Sequence, residues 1–251
     1  MWLISNLLVN EVTDIHLSVV IPTYNESNRI KQSLNAIYEY LGNQNYSYEV
    51  ILCDDGSYDL TTKIAKESFG KKSNFQILSL SHKGKGSAVK TGMVAAQSRY
   101  RFMCDADLAM PFDQIERFLK EMTNGFDIAI GSRELTDSKR FREPILRYLA
   151  GRVFNFFIKF VAIRKYQDTQ CGFKCFSSEA ADKIFPLVKT NGWAFDVEVL
   201  LLADKYGFSV SQVPIDWRHG EDSKVDLWSA ALQMIRDIFL TRVRLLMSRR
   251  K

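Results

Sequence analysis

The chain has 251 residues, 46% of them hydrophobic and 12% aromatic, which is enough apolar material for a large α/β core. Its formal charge of +5, from 34 basic and 29 acidic residues, does not argue for a nucleic-acid partner, and none is expected. Cys53, Cys104, Cys171 and Cys175 lack paired Cys-x-x-Cys spacing and His16, His82 and His219 are scattered, so free thiols are expected and a zinc site is not.

In chain order, the apolar head Met1 to Val9 is too short to span a bilayer and has no signal-peptide cleavage site, so a cytosolic body is expected. Leu17 to Ile21 is a β-branched run that Pro22 should stop. Ser27 to Leu41 follows with Ile30, Leu34, Ile37 and Leu41 at helical spacing, closed by Gly42. Glu49 to Cys53 reads as a second strand leading into Asp54-Asp55-Gly56-Ser57, and Leu60, Ile64 and Phe69 mark a helix ended by Gly70. A third strand, Phe75 to Leu80, feeds Lys83-Gly84-Lys85-Gly86 and a small-residue helix through Ala88, Gly92 and Ala96. The stretch Arg101 to Pro111, RFMCDADLAMP, is then a buried strand ending in Asp105-Ala106-Asp107. This βαβαβαβ order predicts a mostly parallel sheet with right-handed crossovers, and ligands bound outside the carboxyl ends of its strands.

The polar motifs fall at those ends. In an extended segment residues i and i+2 share a side, so Asp105 and Asp107 should converge and call for a hard divalent cation, Mg2+ or Mn2+, that also meets a diphosphate. Taken alone, Asp-x-Asp is equally a turn with a capping carboxylate, Asp-Asp-Gly-Ser an ordinary helix start, and Gly-Lys-Gly short of a full phosphate loop. In order, they form one site: Tyr24 stacks on a base, Asp54 accepts a base or ribose hydrogen bond, and Lys85 faces phosphate.

SVVIPTYNE at 18 to 26, DDGS at 54 to 57, KGKG at 83 to 86, DAD at 105 to 107 and GSR at 131 to 133 resemble the family 2 glycosyltransferases of the GT-A fold. DTQCGFK at 168 to 174, Trp193 to Glu198, and Trp217 followed by Ser223-Lys224 resemble the dolichyl-phosphate β-glucosyltransferase branch, with the likeness running over residues 17 to 246. The resemblance implies one GT-A domain over residues 1–251, with a nucleotide-binding half at 17–132 and an acceptor- and membrane-facing half at 133–251. It implies UDP-glucose as donor, a polyprenyl or dolichyl phosphate as acceptor, and an inverted, β-linked product. The donor would be held by Pro22, Thr23, Tyr24, Glu26, Asp54, Asp55, Lys85, Asp105, Ala106, Trp193, Asp196, Arg218, Ser223 and Lys224. Asp105 and Asp107 would hold the metal, Arg133 and Lys174 the lipid phosphate, and Asp107, Asp168 and Lys174 would be catalytic. In the mannosyl-transferring branch a Gln follows the second Asp by two positions. Here Ala109 stands there, which favours the glucosyl branch over GDP-mannose chemistry. A non-catalytic nucleotide-sugar-binding module is the reading from another class.

Two later segments are amphipathic. Pro144 to Ile163 interleaves Phe156, Phe157 and Phe160 with Arg147, Arg152 and Lys159, which suits a core-packed helix or one lying in a membrane interface. Leu227 to Met247 places Leu227, Ala231, Ile235, Ile238, Phe239, Val243 and Leu246 on one stripe, with arginines towards its end. With no spanning segment, the expected location is peripheral, on the cytosolic face of a membrane.

Overall fold

A computed structural model describes residues 15–141, 163–218 and 227–247. The head, residues 144–162 of the amphipathic run, and Ser223 and Lys224 therefore lie outside the described residues. The first half follows the predicted alternation: β1 (Leu17–Thr23), α1 (Ile30–Gly42), β2 (Tyr48–Asp54), α2 (Thr61–Phe69), β3 (Phe75–Ser79), α3 (Lys85–Ala95) and β4 (Tyr100–Met103). There follow α4 (Ile115–Thr123), β5 (Ile128–Ser132), β6 (Lys139–Phe141), β7 (Lys174–Ser177), α5 (Ser178–Ile184), α6 (Phe195–Tyr206), β8 (Val210–Pro214), β9 (Asp216–Arg218) and α7 (Leu227–Met247).

Seven strands form one sheet in the order β3-β2-β1-β4-β7-β5-β8. The first four are parallel. Strand β7 enters antiparallel between β4 and β5, and β8 returns parallel to β5. Strands β6 and β9 form a small parallel pair of their own. From β1 the chain winds outward to β2 and β3, then crosses back to β4 on the other side. The carboxyl ends of β1 and β4 thus flank a topological switch point, where an open α/β sheet leaves a crevice.

Period-two alternation builds both faces of the core. Leu17, Val19, Ile21, Val50 and Leu52 pack with α1, α2 and α4, while Val20, Ile51, Cys53, Ile128 and Ile130 pack with α3, α5 and α6. Helix α3 lies very close to the sheet because Gly92 faces Cys53 and Val20, where a Cβ would overlap both side chains. All four cysteines are buried free thiols, and burial pushes Cys53 and Cys171 up to about 12.

Three local expectations are corrected. Pro22 does not stop β1, which continues to Thr23 in register with β2. Pairing with β4 covers only Leu17 to Val20, so the missing N–H of Pro22 falls beyond the neighbour that would need it. Helix α1 begins at Ile30 instead of Ser27, because the Arg29 and Ile30 amides both close onto the Glu26 carbonyl in a turn. In α7 the buried stripe is Met234, Ile238 and Thr241, with Leu245 partly buried, whereas Phe239 points to solvent. Among the described residues no helix is long and apolar enough to cross a membrane.

Candidate active site

The first wall of the crevice comes from the loops after β1 and β2. The Asp55 carboxylate accepts hydrogen bonds from the Lys83 and Gly84 amides at 2.9 and 2.8 Å, and His82 Nδ1 lies 2.8 Å from it. One buried side chain therefore ties the DDGS loop to the KGKG turn. The His82 ring is held beneath Tyr24, stacked at 4.2 Å between centroids and 23° between planes, with Tyr58 edge-on at 6.2 Å. Tyr24 and Tyr58 are 38% and 84% exposed, so this aromatic platform is open to a planar ligand. Thr23 is buried and receives the Asp55 amide on its carbonyl, while Glu26 pairs with Arg29 at 2.7 Å. Asp54 is buried beside the platform. Its Oδ2 accepts the Ser57 amide at 3.1 Å, and its Oδ1 has no partner. A buried acceptor without a donor costs about 1–3 kcal/mol, so this oxygen has an unmet requirement for an N–H or O–H.

The second wall is the DAD turn. Strand β4 ends at Met103, and the Leu108 amide closes a turn onto the Asp105 carbonyl at 3.2 Å. The two carboxylates are therefore brought together by a turn and not by strand alternation as expected. Leu108, the last residue of that turn, adopts φ +46°, a strained conformation for a non-glycine residue that the fold holds at the site. Asp107 Oδ1 accepts the Ala109 amide at 3.0 Å, and the Ala106 carbonyl accepts the Ser33 hydroxyl at 2.5 Å. Lys85 Nζ, at the start of α3, lies 2.5 Å from Asp105 Oδ1 and 5.2 Å from the centroid of the Trp193 ring. Burial works to lower the Lys85 pKa, and Asp105 and Asp196 outweigh it and raise it. Desolvation and the Asp105 charge push Asp107 above its ordinary value, although its side chain is open to solvent at the mouth of the site.

These residues fit a hard divalent ion. Two mutually repelling carboxylates supply oxygen ligands at an open mouth, and one of them already holds a cation in the Lys85 ammonium. Among the described residues there is no cluster of three or more metal-ligating side chains, so the rest of such a shell would come from a bound diphosphate and water.

The third wall comes from the second half of the chain. Arg133, just after β5, grips buried Asp168 through Nε at 2.7 Å, Nη2 at 3.0 Å and its own amide at 3.1 Å. Burial opposes ionisation of Asp168, and Arg133 overcomes it and holds the carboxyl at about 2. The guanidinium carbon also lies 5.5 Å from the centroid of the Trp217 ring. The Arg218 amide donates to the Ala109 carbonyl at 2.8 Å, tying β9 to the DAD turn.

Lys174 does not meet the expectation of a phosphate ligand. It is 1% exposed, and its Nζ donates to Asp196 Oδ1 and to the Cys171 carbonyl, each at 2.5 Å. Asp196 is equally buried, which pushes its carboxyl up against the pull of Lys174, so it does not face a donor directly either. Asp168 and Lys174 are both buried, with different partners. What Lys174 fixes is the backbone at Cys171-Gly172. Gly172 lies against the Asp105 carboxylate so closely that a Cβ would overlap it.

Sequence reasoning missed three contributors: His82, Tyr58 and Gly172. A lone histidine carries no signal by itself, and the usable one is the position of His82 next to KGKG. Tyr58 directly follows DDGS, and Gly172 lies within DTQCGFK.

Comparison with known proteins agrees with this geometry. The model of the family described as "Glycosyl transferase family 2" matches residues 18–185. The chain is 36% identical over 252 residues to a dolichyl-phosphate beta-glucosyltransferase of Dictyostelium discoideum, covering 95% of this chain and 77% of that one. Proteins of the same name from Saccharomyces cerevisiae and Homo sapiens are 35% and 34% identical, with 92% of this chain covered and 75% and 76% of theirs. Among solved structures, glucosyl-3-phosphoglycerate synthase from Mycobacterium tuberculosis superposes with a TM-score of 0.68 at 18% identity, covering 90% of this chain and 80% of that one. A complex of that synthase with Mn2+, UDP-glucose and glycerol 3-phosphate gives 0.66 with the same identity and coverage. The chain belongs to glycosyl transferase family 2, has the GT-A architecture of that family, and is a glycosyltransferase.

Proposed function

We propose that the enzyme transfers glucose from UDP-glucose to a polyprenyl phosphate of the dolichyl type, with inversion. The observation that carries this is the unpartnered Asp54 Oδ1 beside the Tyr24–His82 platform, together with the Lys85–Asp105–Asp107 cluster. The platform stacks the base, Asp54 accepts its N–H, and Lys85 meets the diphosphate at the start of α3. Asp105 and Asp107 would hold Mg2+ or Mn2+, which would supply charge neutralisation for the leaving diphosphate. The names of the relatives support the lipid acceptor and the glucosyl group. The Mn2+ and UDP-glucose bound by the mycobacterial synthase support the donor and a divalent ion.

The acceptor needs little activation. A phosphate monoester has a second pKa of about 6, so its oxygen is largely anionic at neutral pH. No general base is required, unlike transfer to a sugar hydroxyl. The protein instead brings two anions together. Arg133, braced by Asp168, meets the lipid phosphate, and Arg218, whose amide ties β9 to the DAD turn, serves the donor diphosphate with Ser223 and Lys224. Lys174 is a positioning residue, holding Gly172 against Asp105. Residues 17–132 form the donor half and 133–251 the acceptor half of one catalytic unit, held peripherally on the cytosolic face of a membrane.

Calorimetric titration with UDP and with GDP, each with and without Mn2+, tests the donor assignment. UDP should bind more tightly, and Mn2+ should strengthen it. Tighter binding of GDP would overturn the choice of donor.

A further inference from the structure

Apart from the donor crevice, the molecule has a cavity of about 420 Å³ between the segment after α5 and the outer part of α7. It is lined by Lys83, Lys189, Arg236 and Arg244 against one carboxylate, Asp237. The lining charges are not equally neutralised. Arg244 is ion-paired with Glu198, a fully buried residue of α6 whose carboxylate also takes the Lys189 and Thr190 amides at 3.0 and 2.7 Å. Arg236 pulls on the neighbouring Asp237 carboxylate without forming an ion pair with it. The ammonium groups of Lys83 and Lys189 have no ion pair or hydrogen bond with a described residue, and both side chains are exposed. The floor is thus rigid and paired, and the rim has positive charge to spare.

Helix α7 adds a second, independent feature. Its buried stripe, Met234, Ile238 and Thr241, seats it on the core. The 3.6-residue repeat then brings Arg236, Phe239, Leu240 and Met247 to the outer side. Phe239, Leu240 and Met247 are 61%, 51% and 64% exposed, and Leu240 also lines the cavity. Cations at a concave rim beside large exposed apolar side chains match one class of ligand: an anionic headgroup with acyl chains attached. A free anion would use the cations and leave the apolar ridge unused.

We infer that this cavity is an anionic-phospholipid headgroup site, separate from the acceptor site, that docks the acceptor half with Phe239, Leu240 and Met247 in the lipid. This rests on the membrane reading above, and it puts the two sites on either side of one segment. Thr190, Asn191 and Gly192 line the cavity, and the next residue, Trp193, lies over Lys85 in the donor crevice.

The test is partition of the full chain onto phosphatidylcholine vesicles with and without phosphatidylglycerol. It compares wild type with Lys189→Ala, Arg236→Ala and the double variant, with UDP binding measured on the same samples. Wild type should favour the anionic vesicles. Each substitution should weaken that binding about fivefold, and the pair roughly twenty-five-fold, with UDP affinity and melting temperature unchanged. Equal partition of wild type and double variant, or no retention of wild type on anionic vesicles, would overturn the inference. Calorimetric binding of inorganic phosphate that disappears in the double variant, without any change in partition, would also overturn it by identifying a free-phosphate site. Loss of UDP binding by the wild type, with partition intact, would count against the donor reading alone.

Discussion

Asp54 shows what a single residue contributes and how it was read. Its place after a buried strand was visible in the sequence, and so was a role as acceptor, but that one oxygen is already used by Ser57 while the other is free came only from the structure. Asp54→Asn should keep the Ser57 contact and lose the second acceptor. UDP affinity should fall about 10- to 100-fold, as for a hydrogen bond of about 1–3 kcal/mol, with little change in melting temperature; unchanged UDP affinity by calorimetry would remove Asp54 from the donor site. Asp107 is also at the mouth of the site, exposed, with one bond to the Ala109 amide. Asp107→Asn should therefore lower turnover far more than stability, and turnover at the wild-type rate would count against metal binding there. Lys174 marks the limit of residue-level reading. A lysine in a motif reads as a solvent-facing cation because lysines are almost never fully buried unless paired, and its partner Asp196 lies 22 positions away.

At the level of elements, most of the first half was legible. Strand, turn and helix alternate there with short connections, and each buried strand carries its own period-two pattern. The second half was harder because its strands pair out of order: β7 is short and inserts antiparallel between β4 and β5. Nothing in KCFS states which neighbours it takes. The Lys174–Asp196 pair joins the first residue of β7 to the first turn of α6, and this predicts a specific pattern of stability. Lys174→Met leaves a buried carboxylate unpaired and should cost about 3–5 kcal/mol, whereas Lys174→Met with Asp196→Leu should recover most of that. Urea titration measures both. A double variant as unstable as the single one would show that the pair does more than neutralise itself. In α7 the sequence pattern was right about amphipathicity and wrong about phase, because both sides of the helix carry apolar residues and only packing shows which side faces the core.

On the scale of the whole molecule, β7 and β8 of residues 133–251 join the strands of residues 17–132 in one sheet, so both halves are parts of one folded unit, with Arg101–Asp182 and Arg117–Asp216 as ion pairs between them. The Arg133–Asp168 pair gives a measurable acid response. The Asp168 carboxyl is held at about 2 in the folded chain against about 3.9 unfolded. Its stabilisation is therefore fully present above about pH 4 and is lost as pH falls towards 2, amounting to about 2–3 kcal/mol. Asp59, also held at about 2 by Thr61 and Ser27, acts in the same window, and raised Asp196 acts in the opposite sense and above it. Asp168→Asn should flatten only part of the acid slope in a pH series of denaturant melts, and an unaltered slope would show that the pair has no net effect. The α/β alternation and the family resemblance could be read from residues 17 to 133 before any geometry was available; which of the motif residues are open to solvent and which are buried against partners could not, since that depends on packing. The most direct test of the account is to incubate the purified protein with Mn2+, a panel of labelled nucleotide sugars and a short polyprenyl phosphate, and to identify the lipid product by mass and anomeric configuration. A β-linked glucosyl phosphate lipid formed from UDP-glucose, and lost on chelation, is the predicted result. Transfer from GDP-mannose in its place, or transfer that is indifferent to chelator, would contradict it.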